Sequence, residues 1–135
     1  MAKELPESIK STNYWYRGNA FLVEIKRVET DGVLAERYQL EQYKWFIYVY
    51  LFEKHPLFET FNKLNTLSEC YDDSLPQLGM HGGITFFSRD TDNGAPSVKL
   101  GCDYCHYDDD EFNIEHSNSV FDDARDIYYK LVHKN

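Results

Sequence analysis

Apolar and polar positions recur along this chain with two clear periods, and the periods predict its elements. The strongest signal is Lys44 to Phe52 (KWFIYVYLF), with Trp45, Ile47, Val49 and Leu51 on one face and Phe46, Tyr48, Tyr50 and Phe52 on the other. Both faces are apolar or aromatic, so the pattern predicts a central strand covered on both sides. Pro56 ends it, and Phe58, Phe61 and Leu64 then fall at helical spacing, predicting one or two short helical turns within His55 to Leu67. Tyr14 to Arg27 is rich in aromatic and β-branched residues and reads as either a strand pair or one bent strand, with Gly18-Asn19 as the candidate turn. Asp31-Gly32 is a second turn signal. Val33 to Tyr43 fits both periods, since Leu34, Tyr38 and Glu41 suit a helix while Tyr38, Leu40 and Gln42 alternate; the adjoining strand tips the reading to strand.

Ile84 to Arg89 and Val98 to Tyr104 read as two more strands, joined by a hairpin loop at Asp90 to Ser97 (DTDNGAPS). The closing element is a helix. Ser117, Asn118 or Ser119 caps it, and Val120, Phe121, Ala124, Ile127, Tyr128 and Leu131 form a stripe of period 3.6 that needs a sheet face to cover. The expected fold is α+β: a single domain over residues 1–135, an antiparallel β-sheet with a C-terminal amphipathic helix packed on it, and a flexible polar segment at residues 1–13.

Composition supports one folded domain. The 135 residues are 42% hydrophobic and 27% charged, and the 16% aromatic share supplies ample core material. The longest apolar run is the eight residues from Trp45 to Phe52, too short for a membrane-spanning helix. Met1 to Lys10 has no apolar stretch of the secretory kind, so a cytoplasmic location is expected, with Cys70, Cys102 and Cys105 as reduced thiols.

Charge is distributed unevenly. Residues 1–67 hold nine basic and nine acidic residues, whereas residues 68–135 hold five basic and fourteen acidic, the whole of the net −9. Such a field repels nucleic-acid backbones and attracts basic protein surfaces, so no direct nucleic-acid binding is expected.

Candidate chemistry gathers between residues 81 and 111. Cys102-Asp103-Tyr104-Cys105-His106 has the C-x-x-C-H spacing of covalent haem attachment, a reaction that requires export. The same cysteines with His81 and His106 could hold zinc, but a strand would point two thiols three residues apart to opposite faces. Harder ligands form a third set: His81, Asp103, His106 and Asp108 could bind a metal or share acid–base work, if the hairpin brings its strand ends together. The loop Asp108-Asp109-Asp110-Glu111 is a binding candidate through its charge. Asp90, Asp92 and Gly94 follow part of a calcium-loop spacing, but the glycine falls one place early and no Glu closes the loop. His81-Gly82-Gly83 precedes a strand, not a helix, and lacks a nucleotide-loop pattern. No cofactor is expected.

The segments His55-Pro56-Leu57-Phe58, His81-Gly82-Gly83-Ile84-Thr85-Phe86 and Gly101-Cys102-Asp103-Tyr104-Cys105-His106-Tyr107-Asp108 together resemble a family of small uncharacterised proteins of tailed bacteriophages and prophages. Members read GYV…GHPLYG, HGGLTYS and GFDCAHxGD ahead of a closing helix, and the likeness covers residues 44–132. Cys102 stands at a usually aromatic position and Tyr107 replaces a Gly, so the paired cysteines are a departure from the pattern. The resemblance implies His55, His81, Asp103, His106 and Asp108 as site residues and supplies an origin more than a mechanism.

The expected function is that of an acidic phage or prophage accessory protein that acts by binding. Its expected partner is a host protein with a basic surface, such as a component of an antiviral defence, met in the host cytoplasm; a homodimer is left open. Two alternatives stand beside it. One is a metal-dependent or acid–base hydrolase of a nucleotide or phosphoester, using His81, Asp103 and His106. The other is a nucleotide-sequestering protein in which Tyr48, Tyr50 and Phe87 stack a base.

Overall fold

A computed structural model describes residues 9–39, 41–90, 95–105 and 110–133 and has the α+β architecture that the periodicity predicts. Strands β1 (Ile9–Gly18), β2 (Phe21–Thr30), β3 (Tyr43–Phe52), β4 (Phe86–Asp90) and β5 (Ser97–Asp103) form one antiparallel sheet in the order β1-β2-β3-β5-β4. β1 and β2 make a hairpin through Asn19 and Ala20, with Gly18 opposite Phe21. The β4–β5 hairpin folds back so that β5 lies against β3 and the five-residue β4 takes the outer edge.

Strand alternation divides the sheet into two unlike faces. On one, Phe21, Val23 and Ile25 of β2, Trp45, Ile47, Val49 and Leu51 of β3, and Val98, Leu100 and Cys102 of β5 meet in register and are buried. Helix α3 (Asn118–Val132) lies across this face and buries Val120, Ala124, Ile127 and Leu131. Ser117 starts it by accepting the Val120 N–H at 3.4 Å, the cap expected of a serine whose side chain replaces a missing backbone partner. At its rim, Phe121 meets the Tyr14 and Trp45 rings, and Tyr128 meets Phe21. Helix α2 (Phe58–Asn62) adds Phe58 and Phe61 to the same core, as their spacing predicts. Removing each such side chain from water is worth about 1.5–3 kcal/mol, so this face supplies most of the folding energy.

Three expectations are corrected. Val33 to Tyr43 is not a strand: residues 32–37 form helix α1 (Gly32–Arg37), because the Asp31 carboxylate accepts the Val33 and Leu34 N–H groups and caps a helix in place of the expected turn. Residues 9–13 are not frayed but pair with Thr30 to Lys26 in the β1–β2 ladder. β3 is central, as expected, but among the described residues it is fully buried on one face and only half-buried on the other. Among the described residues helices α2 and α3 pack on the face just described, and neither covers the face bearing Phe46, Tyr48, Tyr50 and Phe52.

Candidate functional site

The sheet face opposite α2 and α3 carries a group of large rings. Its rings shield one another laterally. Phe46 and Tyr48 lie parallel with centroids 6.2 Å apart, Tyr48 meets Phe86 edge-on at 5.6 Å, and Trp15 leans on Tyr50 at 5.9 Å. Lys99 extends among them, its ammonium 4.3 Å from the Tyr48 centroid, 5.1 Å from Tyr50 and 5.3 Å from Phe86. A cation over ring faces is attracted by their quadrupoles, so the lysine clamps the three rings together. Trp15 stays 48% exposed and Phe86 39%. Rings this exposed on a continuous surface mark an interaction site more often than a decoration.

Two backbone features make this platform. Gly101 lies opposite both Tyr48 and Phe86, and a Cβ there would stand 2.5 Å from the Tyr48 ring. The absent side chain therefore lets Tyr48 lie flat over β5. Glu24 is directly across from Trp15 on β1 and from Tyr48 on β3, and it is only 5% exposed. Its carboxylate accepts the Tyr50 hydroxyl at 2.8 Å and the Asn13 side-chain amide, so the buried charge has donors on both flanks. Burial first, and the neighbouring Glu24 carboxylate second, push the Tyr48 and Tyr50 phenols up from their usual range, so both remain protonated hydrogen-bond donors. Arg17, Lys26 and Lys44 share the face by strand parity with Lys99, giving it more basic character than the chain as a whole.

The residues singled out from the sequence are placed differently. His55 is 2% exposed and belongs to the core. Its Nδ1 accepts the Leu57 N–H at 3.1 Å and its Nε2 lies 3.1 Å from the Leu131 carbonyl. With Nδ1 accepting, Nε2 carries the proton, and one neutral tautomer serves both contacts. Burial pushes its pKa below the ordinary histidine value.

His81 stacks on Tyr104 at 4.3 Å and meets the Phe112 edge at 5.2 Å. Tyr104 is buried and donates its hydroxyl to Asp123 on α3 at 2.7 Å. Asp103 is opposite Phe46, on the other side of β5 from Cys102. Its carboxylate accepts the Thr85 hydroxyl at 3.2 Å and the Cys105 N–H at 3.1 Å. Among the described residues His81 thus contacts the rings of Tyr104 and Phe112, and Asp103 contacts Thr85 and Cys105. Cys102 is buried, which pushes its thiol up to about 12 and keeps it protonated. Among the described residues no group of three or more His, Cys, Asp and Glu side chains is arranged to hold a metal ion. His106, Asp108 and Asp109 lie outside the described residues; Asp110 begins a 3₁₀ turn (Asp110–Phe112), and Glu111 is exposed.

Of the rings proposed to stack a base, Tyr48 and Tyr50 share the open face, but Phe87 is opposite Leu100 and packs against the core. Phe86 takes its place. The sequence signal missed for Trp15, Glu24, Phe86 and Lys99 is their common parity across four strands, which becomes visible only once the pairing register is known.

No helix among the described residues is long and apolar enough to cross a membrane. Comparisons with protein-family models, with curated proteins and with solved structures find no match to this chain.

Proposed function

We propose that this chain is a binding protein whose recognition surface is the open aromatic face of its sheet. The observation that carries the reading is the set of exposed and half-buried rings of Trp15, Phe46, Tyr48, Tyr50 and Phe86, held in place by Lys99 and Glu24 on the side of the sheet opposite α2 and α3. Such a face offers contact area at little entropic cost, because its rings are already ordered by one another. In the phage-accessory role that the resemblance implies, the partner is a host protein with a basic surface, such as an antiviral defence component, met in the host cytoplasm. The acidic residues 108–111 would then add long-range attraction while the aromatic face makes the contact.

The test uses immobilised protein and bacterial lysate at two salt concentrations. Wild type is expected to retain a host protein. Neutralising Asp108, Asp109, Asp110 and Glu111 to Asn and Gln should weaken retention and reduce its salt dependence. Retention with unchanged salt response would overturn the electrostatic part, and no specific retention would overturn the host-protein reading.

A specific observation favours nucleotide sequestration as the second reading. Lys99 among Tyr48, Tyr50 and Phe86 offers ring faces to a base and an ammonium to a phosphate within one small area. Native mass spectrometry of freshly purified protein separates the two: a bound nucleotide mass favours sequestration, and a ligand-free mass removes its main support.

A further inference from the structure

The two edges of the sheet are unlike. β4 is five residues long, and its Arg89 donates to the carbonyl of Asn62, the last residue of α2, and to the Asn65 side chain beyond it. β1 is ten residues long, and among the described residues no strand lies beyond it. The hydrogen-bond parity of this edge can be worked out. Phe52 donates to the Ala20 carbonyl and Thr30 to the Gln42 carbonyl, so the even-numbered residues of β2 bond to β3 and its odd-numbered residues bond to β1. In the β1–β2 register, odd residues of β2 face even residues of β1. The N–H and C=O groups of Ile9, Ser11, Asn13, Trp15 and Arg17 therefore point outward. The Arg17 carbonyl, which accepts the Tyr128 hydroxyl at 3.1 Å, agrees with that assignment.

From this edge the geometry points to a symmetric dimer in which β1 of one copy pairs antiparallel with β1 of a second copy, about a two-fold axis at Asn13. Outward groups must face outward groups, so odd residues oppose odd residues, and any two opposed positions sum to an even number. Lys10 and Arg17, the only charged residues of β1, sum to an odd number and never stand opposite each other. The two-fold at Asn13 uses the outward groups of Ile9, Ser11, Asn13 and Trp15 and the Arg17 N–H, while the Arg17 carbonyl already accepts the Tyr128 hydroxyl. It sets Trp15 beside Ser11, a large ring beside a short side chain, and Tyr16 beside Lys10, a ring beside a cation. Tyr16 lines a groove with Phe121, Asp122, Arg125, Tyr128 and Tyr129. Ser11 to Tyr16 contains no charge and no proline, the devices that ordinarily keep an edge strand from pairing. Two open aromatic faces would then join into one continuous surface.

Sedimentation velocity and residue-resolved hydrogen exchange on the whole chain test this. The expected result is a dimer at micromolar concentration, with the amides of Ser11, Asn13, Trp15 and Arg17 as protected as those of Thr12, Tyr14 and Tyr16. Ser11→Pro removes one outward N–H per copy without touching the β2 ladder, so it should raise the dimer dissociation constant at least tenfold while the chain stays folded. A monomer, or a dimer whose odd-numbered β1 amides exchange freely while the even ones are protected, would overturn the proposal. So would an edge that pairs only with an added foreign peptide. If Ser11→Pro fails to fold, the exchange pattern of the wild type alone decides.

Discussion

Both faces of the sheet carry large apolar side chains and put them to different uses. On the roofed face, Phe21, Ile25, Trp45, Ile47 and Leu100 are buried beneath α2 and α3. On the open face, opposite α2 and α3, Trp15, Phe46, Tyr48, Tyr50 and Phe86 are ordered by each other, by Lys99 and by a buried carboxylate. Stability follows the roof, because it scales with area withdrawn from water. What the open face gains is a fixed shape that a partner can use. The difference predicts that substitutions of similar size will have unequal consequences on the two sides.

The largest contrast is between Ile47→Ala and Trp15→Ala. The first leaves a cavity under α3 and should cost about 2–5 kcal/mol in urea unfolding, while the larger truncation at Trp15 should cost less than about 1 kcal/mol. Equal losses would mean that the open face is a second core. Gly101→Ala comes next. The added methyl group collides with the Tyr48 ring, so a cost of about 1–3 kcal/mol is expected, and Tyr48→Ala in the same chain should recover most of it. Additive effects in that double-mutant cycle would show that the ring does not lie over the glycine.

His55 sharpens the comparison from the roofed side. Its folded pKa lies below its unfolded value because burial disfavours the imidazolium. Its contribution is therefore fully present above the unfolded pKa of about 6.5 and is lost as pH falls from there through the folded pKa. His55→Leu should leave the Leu57 N–H and Leu131 carbonyl without a partner, cost about 1–3 kcal/mol at pH 8, and flatten the fall in stability between neutral pH and pH 5. Unfolding curves at both ends of that range supply the check. A fall in stability as steep as in the wild type would assign the pH response to other groups. The smallest effect is expected for Lys99→Ala, about 0.5–1 kcal/mol, accompanied by a change in tyrosine fluorescence as Tyr48 and Tyr50 lose their clamp.

Periodicity made much of this fold legible. The β1–β2 hairpin, the central β3, the β4–β5 hairpin and the stripe of α3 all follow from spacing alone. α1 did not, because a six-residue helix with only Ala35 buried leaves almost no periodic signal, and Asp31 serves equally well in a turn or as a cap. The candidate site was the hardest to read, for a physical reason. A strand apolar on both faces states that both can be shielded, not which will be roofed. A one-residue shift moved the stacking candidate from Phe87 to Phe86. The spacing of Cys102 and Asp103 did foretell one feature, since alternation along β5 gives these two neighbours different faces.

The central claim is that one face holds the fold while the other is free to bind. Its most direct test is the double variant Trp15→Ser, Phe86→Ser, measured for unfolding free energy and for retention of the partner or ligand that the wild type binds. The account predicts stability within about 1–2 kcal/mol of wild type together with loss of retention. A variant that unfolds, or one that stays folded and retains the partner unchanged, would contradict it.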